Sequence, residues 1–379
     1  MKLQSISFDV VIHRVWLRIA EAAYVGQCEA AIFRILLGAY FLFNLKAFSW
    51  ISAAPAAWFD PPFLSFANAY GSFPPNWFFY GVDMLLPLAC FCVAAGVKAR
   101  VAGLTIALLY ISASNFSYSF GKIDHGGVLI HTTLICLSFS NWGCRYALLP
   151  DRPLSDARHN GSFGILAIVV AFAMFTAGFE KAYVWIDFDP STSGFLAWFN
   201  GGYYTLERQH FLAPIVEILP PLVYELFDYS AVLFELSGLL FLVAGRRFWH
   251  GWLIAACCFH LGNLLLLNIL FTPHAVVYGA FLIAPIAGSL RNGLPLPPAF
   301  LKVAMMAAVA LTLYQLMVRF LYIRALESGS IAVNEDANMF AMYVSLVIWL
   351  CLIGFSVFGF VKGERRGASP AKEELSPAV

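Results

Sequence analysis

An all-α, polytopic membrane bundle is the fold class this sequence predicts, and three observations carry the expectation. Of 379 residues, 61% are hydrophobic and only 12% charged, with a mean hydropathy of +0.76. The apolar residues gather in runs of about 18–22, the length at which a helix crosses a hydrocarbon core with its backbone polar groups satisfied internally. The 36 Phe and 10 Trp suit lipid-facing surfaces and interfacial aromatic belts. The net charge of +1 says nothing about a nucleic-acid partner; with this apolar composition, membrane lipid is the expected partner and no nucleic acid is expected.

Residues 1–26 place Arg14 and Arg18 beside Val10, Val11, Ile12, Trp16 and Leu17, the pattern of an amphipathic helix lying on the membrane surface. They lack the apolar core and small-residue cleavage site of a signal peptide. About ten spans follow by length and apolarity. Their limits are Ala30 to Phe48, Trp77 to Val97, Val101 to Phe120, Gly127 to Trp142, Phe163 to Trp185, Tyr224 to Ala244, Trp249 to Leu270, His274 to Ala287, Phe300 to Tyr322 and Met339 to Val361. The fourth carries His131, and the eighth is short and contains Pro285. The chain divides into the surface segment 1–26, a transmembrane domain 27–295, two further helices in 296–362 and a polar tail 363–379 expected to be disordered.

Basic residues set the orientation. Lys2, Arg14, Arg18, Lys98, Arg100, Arg145, Arg152, Arg158, Arg246, Arg247, Arg291, Lys302, Lys362, Arg365, Arg366 and Lys372 fall on one side, and only Lys122, Arg208 and Arg324 on the other. The positive-inside rule then puts both termini in the cytoplasm, with a bacterial cytoplasmic membrane as the expected location. Arg34, Lys46, Lys181 and Arg319 remain in or at the edges of spans. The eight cysteines show no disulfide or zinc pattern and read as small core residues.

Lys181, inside GILAIVVAFAMFTAGFEKAYVW, is the most informative of these. A charge at membrane depth is retained for a function or a partner, or else it snorkels to the headgroups, and both readings fit. On the adjacent antiparallel fourth span, FGKIDHGG places Asp124 and His125 at similar depth, with Gly126 and Gly127 allowing close approach. The seventh span carries His260 and Asn263, three apart on one face, and Asn268 near its end; each could meet a ligand or make an interhelical hydrogen bond. Asp228 lies at the outer end of the sixth span, facing the same region, and is a further candidate ligand-binding group. Arg34 needs an anion, a carbonyl cluster or headgroups, and Glu235 in the sixth span is a candidate partner. A desolvated lysine becomes a neutral amine base, and His125 beside it could relay a proton or hydrogen-bond an oxyanion. Lys181 and His125 are therefore the candidate catalytic pair, with Asp124, Asp228, His260 and Asn263 around a hydrophobic small-molecule substrate. No metal site is expected, since the histidines lack ligand spacing.

Taken in order, AIFRILLG, DHGGVLIHTTLICLSFSNWGCRYALLPD, FTAGFEKAYVWI, DYSAVLFELSGLLFLVAGRR and CFHLGNLLLLNILFTPHAVVYGAFL resemble the vitamin K-dependent gamma-carboxylase family and the bacterial horizontally transferred transmembrane (HTTM) proteins of that superfamily. The resemblance spans Ala30 to Ala287. It implies that Ala177, Gly178 and Lys181 match an Ala-Gly-x-x-Lys segment supplying the base for reduced vitamin K, that His125 matches a histidine assisting it, and that Phe259, His260 and Leu261 match a Phe-His-Leu motif. The implied cofactors are reduced vitamin K or menaquinol, with dioxygen and carbon dioxide: the hydroquinone is oxygenated to an epoxide, and a strong base so formed abstracts a proton for carboxylation. The chain departs from the family at Asp124, where an asparagine is usual, at Glu180, where a second lysine is usual, and in having an outer loop of only Ile186 to Val223 in place of a large propeptide-binding domain. Two functions follow: an intramembrane lyase or epoxidase acting on a quinol or isoprenoid-like substrate, or a noncatalytic membrane factor with a peptide partner in maturation, export or immunity.

Overall fold

The computed structural model describes residues 8–120, 126–187, 189, 192–283, 298–328 and 338–364, and these are helical throughout apart from loops and one isolated bridge between Val97 and Leu149. The amphipathic N-terminal pattern becomes α1 (Phe8–Ala22), which exposes Val11, Ile12 and Leu17 and packs on later helices. After a break it turns by 65° into α2 (Gln27–Phe43). That elbow is tied down by His159: its Nε2–H donates to Val25 O at 2.8 Å, while its Nδ1 accepts the Asn141 N–H at 3.0 Å.

Two 3₁₀ turns and the short α3 (Phe66–Tyr70) lead into α4 (Asn76–Ala95), which Gly96 ends in the left-handed conformation that glycine adopts without strain. Gly38 lets α2 meet α4 closely, because a Cβ there would sit 2.6 Å from Ala94 N. Then come α5 (Ala99–Ser117), α6 (Gly126–Leu137) and the 30-residue α7 (Asp156–Trp185). The outer connection folds into α8 (Gly194–Asn200), a π turn and α9 (Ala213–Val216), with its own small core of Phe195, Phe199, Ala213, Val216 and Tyr224. Next are α10 (Pro221–Ala244), α11 (Arg246–Leu267), α12 (Thr272–Leu282), α13 (Pro298–Glu327) and α14 (Asn338–Glu364). Helix α14 continues two residues past the boundary expected for the tail; the tail from 365 lies outside the described residues.

Among the described residues seven helices are long and apolar enough to cross a membrane, or eight if the bent α1–α2 pair counts as one span, in place of the ten expected. The difference lies in α2, α6 and α12. The 17-residue α2 reaches the required length only together with α1. At 12 and 11 residues, α6 and α12 extend about 18 and 16 Å at 1.5 Å per residue, short of a hydrocarbon core of about 30 Å. These two short helices pack on each other, and α12 buries Ala275, Val277, Tyr278, Ala280 and Phe281. Residues 121–125 before α6 and 284–297 after α12 lie outside the described residues, so these lengths are those of the described stretches alone. Helix α13 is the reverse case: only 11% of its span window is buried, and Met306, Leu313, Met317 and Phe320 face outward.

Candidate functional site

Helices α7 and α10 share the most extensive packing among the described residues, and a close approach within it has a local reason. Gly178 sits where they cross, and a Cβ there would lie 2.7 Å from Glu235 Cβ and 3.1 Å from Leu236 N. Without that side chain the backbones approach, and Lys181, one turn further along α7, reaches α10. Its Nζ donates to Glu235 Oε1 at 2.5 Å. The Glu235 side chain is 3% exposed and that of Lys181 24%, so the carboxylate is the sequestered partner and the ammonium the one at the edge of free space. Lys181 Nζ also stands 5.2 Å from the centre of the Trp185 ring and 6.0 Å from that of Phe259.

That free space is a cavity of about 370 Å³. Trp185 from α7, Phe195 and Trp198 from α8, Phe227 and Phe234 from α10, Phe259 from α11 and Phe271 after it give the wall its aromatic character. Lys181, Ser230 and Asn263 are its polar groups. The sequence candidates Lys181 and Asn263, from helices more than 80 positions apart, thus line one cavity.

The remaining candidates fall elsewhere. His260 does not share the cavity with Asn263, because three residues along a helix leave the side chains about 60° apart, enough to separate wall from core. Its Nε2 is 3.0 Å from Tyr278 Oη, and its ring packs among Phe271, His274 and Trp349. Asp228 is likewise fully buried and does not line the cavity: its carboxylate accepts the N–H groups of Gly194 at 3.0 Å and Phe195 at 2.7 Å. It fixes the start of α8 and so positions Phe195 and Trp198 on the wall. Asp124 and His125 lie outside the described residues. Asn268 is structural: in the left-handed conformation at the end of α11, it accepts from His210 N–H and donates to His210 O and Leu264 O.

Arg34 does not pair with Glu235. Its guanidinium donates to the carbonyls of Trp142 and Arg145, each at 3.1 Å, and of Tyr146 at 2.5 Å, a carbonyl cluster made by the loop between α6 and α7. Sequence reasoning gave Asp83, Gln315 and Arg319 no role. Asp83, fully buried in α4, accepts the N–H groups of Phe48 and Ser49 at 2.7 and 2.9 Å. From α13, Arg319 donates to Leu45 O, Lys46 O and Gln315 Oε1, while Gln315 donates to Leu42 O. A carboxylate inside the apolar run WFFYGVDMLLPL was the available signal. Among the described residues, no three His, Cys, Asp or Glu side chains come together as metal ligands would.

No protein-family model matches the chain, and neither a curated protein nor a solved structure is significantly similar to it.

Proposed function

We propose that this is a multi-pass protein of a bacterial cytoplasmic membrane, with both termini cytoplasmic, that holds a hydrophobic hydroxylated ring of the quinol class beside Lys181 and takes a proton from it. The observation that carries the reading is the Lys181–Glu235 contact at the edge of a largely apolar, aromatic-rich cavity. The proposed step begins with transfer of the ammonium proton from Nζ to the Glu235 carboxylate, which it already contacts. The amine then accepts a proton from a ligand hydroxyl at Nζ, while Glu235 keeps the first. The volume lies within the range of about 300–1,000 Å³ common to small-molecule sites, and flat aromatic walls suit a ring. The outward apolar faces of α13 and the positive-inside distribution of basic residues support the membrane placement.

Under the gamma-carboxylase-like resemblance, reduced vitamin K or menaquinol with dioxygen would supply the oxidative chemistry, and carbon dioxide the group that is fixed. Binding, orientation and proton acceptance fall to this chain. The test is oxygen uptake and quinol conversion by purified protein in lipid nanodiscs given menaquinol or vitamin K hydroquinone. Loss of a general base costs about 10²–10⁴ in rate, so turnover in Lys181→Met should fall by that much with ring binding retained. Equal turnover in wild type and Lys181→Met ends the proposal. A second reading draws on the same contact: an interhelical ion pair is what a noncatalytic factor in peptide maturation, export or immunity would keep for packing. Absence of any quinol binding by the wild type selects that reading.

A further inference from the structure

A second and larger cavity, of about 840 Å³, lies across the α11–α12 connection from the first. The connection is the partition: Ile269 and Phe271 line the Lys181 cavity, whereas Leu270, Thr272 and Pro273 line the second. The second cavity has a different character. Tyr110 and Ser114, 8% and 9% exposed, are hydroxyl-bearing residues of its buried wall, as are the less buried Tyr40 and Ser117, and the Tyr110 hydroxyl also meets the Lys46 backbone. Its exposed edge carries Phe43 and Phe340, 71% and 76% exposed.

The wall is also held in place at cost. The stretch 42–49 supplies Phe43, Asn44, Lys46 and Phe48 to the cavity, and it is the stretch bound from behind by Asp83, Gln315 and Arg319. Buried charge is expensive, and neutral side chains would have sufficed to satisfy a few backbone groups. A carboxylate, an amide and a guanidinium thus fix one short stretch of the cavity wall in place.

We propose that this cavity is a second ligand site, for an amphiphile whose oxygen-rich head is hydrogen-bonded by Tyr110 and Ser114 and whose hydrocarbon chain leaves past Phe43 and Phe340. The site stands independently of the chemistry proposed at Lys181. A membrane glycerophospholipid and a single-chain amphiphile share that chemistry, and the experiment separates them. Purified protein in detergent is photolabelled with three diazirine probes: a phosphatidylglycerol, a single-chain alkyl phosphate and a headless alkane. Adducts of the headed probes are expected in residues 40–50, 110–118 and 340–344. Tyr110→Phe with Ser114→Ala should lower that yield about five- to tenfold, as loss of one or two hydrogen bonds implies, and leave alkane labelling unchanged. Ala341→Trp, at an exposed position of the wall, should block the headed probes without lowering the melting temperature, and it keeps the test valid if the double variant folds poorly. Labelling by the alkyl phosphate alone identifies a single-chain ligand, and labelling by the phosphatidylglycerol identifies a membrane lipid. Equal labelling of these segments by the alkane, or headed-probe yields unmoved by Ala341→Trp, overturns the proposal.

Discussion

Replacing one partner of the Lys181–Glu235 pair should destabilise the bundle asymmetrically, and the size of the asymmetry follows from exposure. At 2.5 Å and an effective dielectric near 20, the gross attraction is about 6–7 kcal/mol, most of it offset by desolvation of the two groups. Lys181→Met leaves the Glu235 carboxylate 3% exposed, with Oε1 unpaired and Oε2 already lacking a hydrogen bond. Stranding a buried charge costs about 3–5 kcal/mol, and discounting for the 24% exposure of Lys181 gives about 2–4. Glu235→Gln leaves an amide oxygen to accept from the ammonium, which also retains the Trp185 ring and access to free space, and should cost about 1 kcal/mol. Lys181→Met combined with Glu235→Leu removes both charges and should recover most of the loss. Equilibrium unfolding in mixed micelles, arranged as a double-mutant cycle, reads these differences. Equal losses for the two single variants, or a double variant as unstable as their sum, would refute the reasoning. The recovered double variant should remain inactive, which separates stability from proton chemistry.

Gly178→Ala should cost about 1–3 kcal/mol, since its methyl would overlap Glu235 Cβ and force α7 from α10; thermal melting of the purified variant checks this, and an unshifted melt contradicts the close crossing. Asp83→Leu should lose about 2–3 kcal/mol by leaving the Phe48 and Ser49 amides without acceptors, and limited proteolysis should then cut within 43–58 faster than in the wild type. Burial pushes the Cys144 thiol above its ordinary value, so its alkylation should accelerate only at a pH higher than that of a free thiol; a rate profile matching the free thiol would contradict that environment.

Much of the helical order was legible because spanning and buried helices obey the same length and apolarity rules. Those rules do not distinguish lipid from protein as the apolar neighbour. The runs at α6 and α12 therefore read as spans, while their described helices, 12 and 11 residues long, fall below the length a crossing helix needs. For the site, sequence supplied depth along each helix but not rotation. Lys181 and Asn263 meet one cavity, whereas His260, one small step around the same helix, faces Tyr278. Glu235 was assigned to Arg34 because both were costly and unpaired; the guanidinium instead found carbonyls 108 to 112 positions away in a loop with no signal of its own. The hold on 42–49 was missed for the same reason, since backbone acceptors leave no mark in a sequence.

His159 carries a consequence for how the bundle responds to acid. The Asn141 N–H can only donate and the Val25 carbonyl can only accept, so the ring is fixed in its neutral form with the proton on Nε2. A second proton on Nδ1 would turn that acceptor into a donor aimed at another N–H. The imidazole is therefore a fastener that holds in one charge state alone, and it joins the elbow after α1 to the loop whose neighbouring carbonyls grip Arg34. Protonation of this ring would set one of its two backbone contacts against itself, so a single proton bears at once on the elbow after α1 and on the loop after α6.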